Sequence, residues 1–475
     1  MAIHPALARI HVFVMLCGAG LVPTMALAQV PGPPPPSLTL DQAIQYAVDH
    51  YPTVRAALEQ VNVSAAGVDV ARSAYLPRLD SLWQSNRATA NNIFGQVLPQ
   101  SVIPSLSGPV LPSASAGSVW SSATGALFSW EPLDFGLRRA TVASAEAAVG
   151  RARAGEALTR LDVQHAVASA FLSVVAAQRA VTSLQADVDR RDLLARRIHT
   201  LVDNQLRPGA EASRADAELA AARTRIIQAG QTLTLAQLTL SRLLGVTTSA
   251  ATVDAGTLFD SIPAGEPTSE TGGTHPFVQV HQAAVDEARA QQNLLARTDL
   301  PRLYLQSSVF ARGSGAESSG QLEGGVDGLG LQRVNWAAGV QIVFPNVFDF
   351  SSLRARKTAA AASARLETAL YDEAVLTVSS ERQAAAAVLE SARAIAANTP
   401  IQLAAAQQSE AQARARYEAG LTSIVEVADA QSLLAQAEVM DQLARVDVWR
   451  AVLAEAMAQG TLSPFQNLIR PAGVR

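Results

Sequence analysis

The chain has 475 residues, of which 49% are hydrophobic, 5% aromatic and 16% charged, with a formal net charge of -4. That balance excludes the basic footprint of a nucleic-acid binder, and no nucleic-acid partner is expected. The length would ordinarily suggest two or three domains, but aromatic residues are too scarce to fill globular cores. Long helices with small side chains at their contacts suit the composition better.

Residues 1–28 read as a secretory signal. Arg9 and His11 precede an apolar stretch from Val12 to Val22, and Met25-Ala26-Leu27-Ala28 supplies the small residues that a signal peptidase needs. The stretch is shorter than the ~20 residues of a membrane-spanning helix, so removal is expected. Cys17, the only cysteine, lies inside it. Acylation there would make a lipoprotein, but Leu16 is a poor fit for the small residue that precedes such a cysteine. Without Cys17 the mature chain has neither disulfides nor thiolate metal sites. Residues 29–37, with PGPPPPS at 31–37, form a Pro-rich extended tether. Beyond it no window is expected to reach transmembrane-helix length without charges or turn signals. An exported chain of this kind can enter a membrane only as part of a closed β-barrel.

The chain is written twice. Tyr51-Pro52 is echoed by His275-Pro276, and Leu76-Pro77-Arg78-Leu79 by Leu300-Pro301-Arg302-Leu303. WEPLDF at 130–135 is echoed by FPNVFDF at 344–350, and Gly209 is matched with Gly420. The expected repeats are 38–250 and 275–460, separated by 251–274 and followed by a tail at 461–475. In each, a helix is broken by the proline of LPRL, which disfavours helical geometry before it and removes an amide donor. Alternating segments follow, with strands expected at about 76–87, 118–130, 302–312 and 334–345. Trp336, Ala338, Val340, Ile342 and Phe344 share one face; Trp120, Ser122, Thr124, Ala126, Phe128 and Trp130 share another of more polar character. Such segments suit a barrel wall. Four strands cannot close, and an open edge in lipid leaves hydrogen bonds unmade. Several copies must then share one barrel, unless the segments form a soluble sheet capping a helical bundle.

Long helices make up the rest, at about 137–203, 211–245, 353–419 and 422–458. The first would be a rod of about 100 Å at 1.5 Å per residue. Ala177, Val181, Leu184, Val188, Ala195, Ile198 and Val202 keep a three-four spacing broken once, at Arg191. Leu219, Ala222, Ile226, Ala229, Leu233, Ala236, Leu240 and Leu243 keep it without a break. These are coiled-coil seams. Pro400 should bend or perturb the third rod.

With SLTLDQAIQYAVDHYPTVRAA, LPRL, PLDFG, RPGAEASRADAELA and YEAGLTSIVEVADAQ in order, nearly the whole mature chain resembles the TolC-like outer-membrane efflux proteins, or outer membrane factors. The resemblance implies a mainly α fold with transmembrane β. In it, long antiparallel coiled-coil helices form a periplasmic α-barrel, and four β-strands per chain complete a trimeric 12-stranded outer-membrane β-barrel. It implies a homotrimer in Gram-negative outer-membrane lipid, extending into the periplasm. Its partners would be a periplasmic adaptor (membrane fusion protein) and an inner-membrane pump, with RND type favoured over ABC or MFS. The two helix-pair turns, Asn204–Ala210 and Ala419–Thr422, would lie at the periplasmic tip, where the adaptor docks.

At those turns Pro208, Gly209, Gly420 and Leu421 are the expected adaptor contacts, with both glycines suited to a left-handed helix end. An ordinary helix stop would use Gly420-Leu421 in the same way. Glu426 and Asp429, three apart on one face, would ring the entrance in three copies and favour cations; acids at a helix start also suit its dipole. Glu211 and Asp216 of the first copy do not repeat that spacing. Thr422 stands where the family often has a gate-closing arginine, which makes the Tyr417 phenol a candidate gate contact with a neighbouring helix.

No nucleotide or zinc-protease motif occurs. His165 and His199 are isolated on Ala-rich helices and suit packing or surface roles rather than metal binding. No enzyme activity and no cofactor are expected. The function implied is an exit duct passing drugs or toxic compounds in a tripartite efflux or type I secretion system; the alternative is a structural periplasmic coiled-coil protein without a barrel.

Overall fold

The computed structural model describes residues 37–89, 97–104, 116–246, 253–256, 259, 261–263, 274–317, 319, 321–322, 325–345 and 349–469. The signal segment with Cys17, nearly all of the tether, most of 251–274 and the end of the tail lie outside the described residues.

Two short helices open the first repeat. Thr39 and Gln42 form a capping box at the start of α1 (Leu40–His50), each side chain bonding the other's backbone amide. Pro52 then begins α2 (Pro52–Ser73), at the position where a missing amide costs nothing. Pro276 does the same for α5 (Pro276–Leu295) in the second repeat.

Strands start directly after each LPRL proline: β1 (Arg78–Thr89) and β3 (Arg302–Ser314). Their partners are β2 (Ser118–Leu133) and β4 (Arg333–Val343). All four join in one antiparallel sheet, order β1-β2-β3-β4, so the two repeats meet at β2 and β3. The register decides what each face presents. Leu79 opposes Phe128, Ala126 opposes Val309, and Val309 opposes Trp336, so one face gathers Leu79, Trp83, Phe128, Val309, Trp336 and Val340. Trp83 is 74% exposed and Trp336 78%. The other face carries Asp80, Gln84, Ser121, Gln306, Ser308, Asn335 and Gln341. On that polar face Val102 and Ile103, from the segment after β1, pack against Ala123 and Phe310.

The rods are α3 (Leu137–Asp203) with α4 (Gly209–Leu243), and α6 (Phe350–Glu418) with α7 (Ile424–Gln459). At 1.5 Å per residue the 67 residues of α3 reach about 100 Å. Pro400 sits within α6, which is helical on both sides of it; the adjacent Thr399 hydroxyl donates to Asp441 of α7 at 3.1 Å. Midway along the rods the main core gathers α1, α3, α7 and the short α8 (Ser463–Ile469), with Trp449 between Phe259 and Phe465.

An 18-residue stretch of α3 reaches the apolarity of a membrane span, with mean hydropathy 1.4, but the longest charge-free run there is only the segment between Asp162 and Arg179, as expected. Half of that stretch is buried, and Val167, Phe171, Leu172, Val174 and Val175 of α3 lie in the main core. Its apolar character thus serves packing between helices.

Candidate functional site at the tips of the helical hairpins

The turns between α3 and α4 and between α6 and α7 are built alike. After α3, the Leu206 amide donates to the Leu201 carbonyl at 2.8 Å and Gln205 is left-handed, with φ 57°. After α6, the Leu421 amide donates to the Arg416 carbonyl at 2.8 Å and Gly420 is left-handed, with φ 73°. Both are helix stops of the Schellman kind.

This geometry corrects the matching of the repeats. Leu421 follows Leu206 by 215 positions (421 − 206), and the starts of α7 and α4 differ by the same 215 (424 − 209). The counterpart of Gly420 is therefore Gln205, not Gly209. Gly209 is the first residue of α4, after Pro208 as its cap, and its φ is not positive. Glu211 becomes the counterpart of Glu426, and Arg207 the counterpart of Thr422.

Three side chains build one contact between the two turns. The Tyr417 hydroxyl donates to Glu211 Oε2 at 2.6 Å. Arg207 donates from Nη2 to the Tyr417 carbonyl at 3.0 Å, and its guanidinium lies 4.7 Å from the Tyr417 ring centre. A longer approach of 3.8 Å separates Arg207 Nη1 from Glu211 Oε1. Tyr417 is only 4% exposed, on a cluster with Ile198, Ala215, Leu219, Ile424 and Val427. Burial, followed by the bond to Glu211 and its charge, pushes the Tyr417 hydroxyl up to about 12. The sequence singled out Tyr417 but not Arg207. The signal was present, because the offset of 215 sets an arginine at the first-copy place that Thr422 holds in the second.

Thr422 itself has a buried hydroxyl without a hydrogen-bond partner among the described residues. Glu426 and Asp429 are both exposed on α7, and neither makes an ion pair among the described residues. The structure does not bring them to the Arg207 cluster. Leu421 is 71% exposed, and Leu206, which the sequence reading passed over, 68%. His199 pairs with Asp216 of α4 at 2.9 Å, while His165 is half-buried near Asp162.

A sheet apolar on one face and polar on the other, carried by paired rods of about 100 Å, defines a membrane-channel subunit rather than an enzyme. The model of the outer membrane efflux protein family matches residues 43–246 and 269–454. The chain belongs to that family, whose members are outer-membrane channels. Its fold is similar to the CmeC outer membrane channel of Campylobacter jejuni, at 16% identity and TM-score 0.72, covering 89% of this chain and 85% of that one. It is similar to the outer membrane protein VceC of Vibrio cholerae, at 17% identity and TM-score 0.69, covering 89% and 96%. The open state of the Neisseria gonorrhoeae MtrE outer membrane channel gives 19% identity and TM-score 0.67, covering 89% of each chain. No curated relative matches the chain in sequence. Membership of the family sets aside the reading without a barrel.

Proposed function

We propose that three copies of this chain form the exit duct of a tripartite efflux system in the Gram-negative outer membrane. The observation that carries this is the sheet. Among the described residues its edge strands β1 and β4 each pair on one side only, and one face is apolar enough for lipid while the other is polar enough to line water. Three such sheets joined edge to edge give a closed barrel of twelve strands. The rods reach toward an adaptor and an inner-membrane pump, which supplies the energy. An RND pump is favoured over an ABC or MFS transporter by general family frequency, and the cargo is drugs or other toxic small molecules.

The tips are the controlled end. Leu206, Pro208, Gly209, Gly420 and Leu421 offer the adaptor an exposed surface with two prominent leucines. Tyr417, clamped between Arg207 and Glu211, holds the second hairpin against the first as a gate contact. Glu426 and Asp429, free of ion pairs within the described chain, would ring the entrance with six carboxylates and select cations. The test is ion selectivity of the purified trimer in planar bilayers, parent against Glu426→Gln with Asp429→Asn. Cation preference that disappears in the double variant supports duct and ring. Unchanged selectivity keeps the duct and removes the ring, and absence of any channel refutes both.

A further inference from the structure

The connection between β1 and β2 does not stay at the end of the sheet. Its described part, residues 97–104, reads VLPQSVIP and returns over the polar face. There Val102 and Ile103 pack with Leu82, Ala123, Leu127 and Phe310, all on the face assigned to water. Thr89, the last residue of β1, faces Ser118, whereas Leu82 faces Gly125. The seven residues from Ser118 to Gly125 span about 23 Å of strand. The segment runs back that far along the wall. Because β1 and β3 follow short helices while β2 and β4 lead into the rods, this connection belongs to the end of the sheet away from the rods, the outer mouth of the duct.

The seat is shaped for it. A Cβ on Gly125 would stand 3.3 Å from Ile103 Cγ1 and 2.9 Å from the Phe310 Cβ, so glycine leaves the notch that Ile103 fills. Ile103 is 2% exposed. Burying a dipeptide backbone requires hydrogen-bond partners, and the Gln100 side chain supplies three bonds. Its Oε1 accepts from the Val102 and Ile103 amides at 2.5 and 2.7 Å, and its Nε2 donates to the Ile103 carbonyl at 2.8 Å. Pro99 and Pro104 stiffen the segment on either side. Toward β4 it stands off the wall: a cavity of about 510 Å³ separates Ser101, Val102 and Pro104 from Gln306, Ser308 and Gln341. No charged side chain among the described residues lines that cavity.

We propose that residues 97–104 form a fixed collar inside the barrel, one from each copy, and that Val102 and Ile103, by seating it, set the largest solute able to pass. This rests on the duct reading above and is independent of the tips. A barrel of about eight strands is filled by its own side chains, whereas one of about sixteen holds an open channel. Twelve strands lie between, so three inward segments decide how much bore is left. With an uncharged cavity beside it, the collar selects by size rather than by charge.

Thiol labelling from outside intact cells tests the collar whatever the state of the tips. Gln341 lies on the polar face of β4, six residues from Asn335, the partner of Phe310, and so about 20 Å further toward the rods. In a Cys17→Ser, Gln341→Cys background, a small maleimide and a graded series of polyethylene-glycol maleimides are added to three forms: the parent, Val102→Ser with Ile103→Ser, and Gln100→Ala. Heat-modifiable trimer confirms assembly of each. Gln100→Ala alters the turn and not the wall, so it carries the test if the serine pair misassembles. The smallest reagent should label all three alike, and the larger ones should label the two variants at least tenfold faster than the parent. An equal size limit in parent and variants overturns the collar and leaves the duct standing. If the smallest reagent labels none of them in cells but all of them after unfolding, Gln341 faces no open lumen, and the duct falls with the collar.

Discussion

The hydroxyl of Tyr417, at the end of one long helix, donates a 2.6 Å hydrogen bond to Glu211, in the first turn of a helix belonging to the other repeat. With Arg207 on the Tyr417 carbonyl and ring, it joins the two hairpins at their turns, beside the Arg197–Glu418 pair at 3.5 Å. A hydrogen bond to a charged group contributes about 1.5–3 kcal/mol. Tyr417→Phe should therefore raise the open fraction about tenfold or more if the bond exists only in the closed state, and Arg207→Gln should act in the same direction. Single-channel open probability checks both.

The same bond fixes a pH dependence. Tyr417 keeps its proton up to about 12 in the folded chain, whereas an unfolded tyrosine loses it near 10. The unfolded state releases its proton first, so this contribution is fully present below about pH 10 and is lost as pH rises from there to about 12. Thermal melts between pH 9 and 12 should fall more steeply for the parent than for Tyr417→Phe. Parallel curves would mean that the bond is not made in solution.

Glycine substitutions test the corrected matching of the repeats. Gly420 is left-handed, so Gly420→Ala should destabilise the second turn by about 1 kcal/mol or more. Gly209 is helical, and nothing lies within 4 Å of the place its Cβ would take. Gly209→Ala should be neutral or stabilising by up to about 1 kcal/mol. Denaturant midpoints of the two variants separate these outcomes.

His199 and Asp216 give a local probe of the same hairpin. The hydrogen bond and charge of Asp216 raise the His199 pKa above its ordinary value. The charged pair supports the folded hairpin below the ordinary histidine range and stops doing so as pH rises through the raised value. An NMR titration should place His199 above an unperturbed histidine and return it toward that value in Asp216→Asn.

The strands and rods are legible in the sequence for one physical reason: burial on one side imposes a period, two in a strand and about 3.5 in a coiled-coil seam. The prolines of LPRL mark where β1 and β3 begin, because neither can sit inside the preceding helix. The tips are harder. Matching Gly209 to Gly420 follows residue identity, whereas the left-handed place in the first turn is taken by Gln205. Arg207 meets Tyr417 from 210 positions away, a distance over which no local pattern carries information. Arg191 was visible only as a break in a seam. Its meaning appears when Glu218 and Ser432 converge on it from two other helices.

The two faces of the sheet allow a paired test of the barrel wall. Val340 lies on the apolar face and Gln341 on the polar one. Val340→Arg should impair outer-membrane assembly at a cost of about 2–4 kcal/mol near the bilayer midplane, while Gln341→Arg should be tolerated. Yield of heat-modifiable trimer in outer-membrane fractions reports the difference.

The most direct test is single-channel recording of the detergent-purified protein beside a Tyr417→Phe, Arg207→Gln double variant. A gated duct predicts small, rare openings in the parent that become larger and more frequent in the variant. Protein that stays soluble without detergent and never conducts would contradict the channel, and identical conductance in the two would contradict the gate.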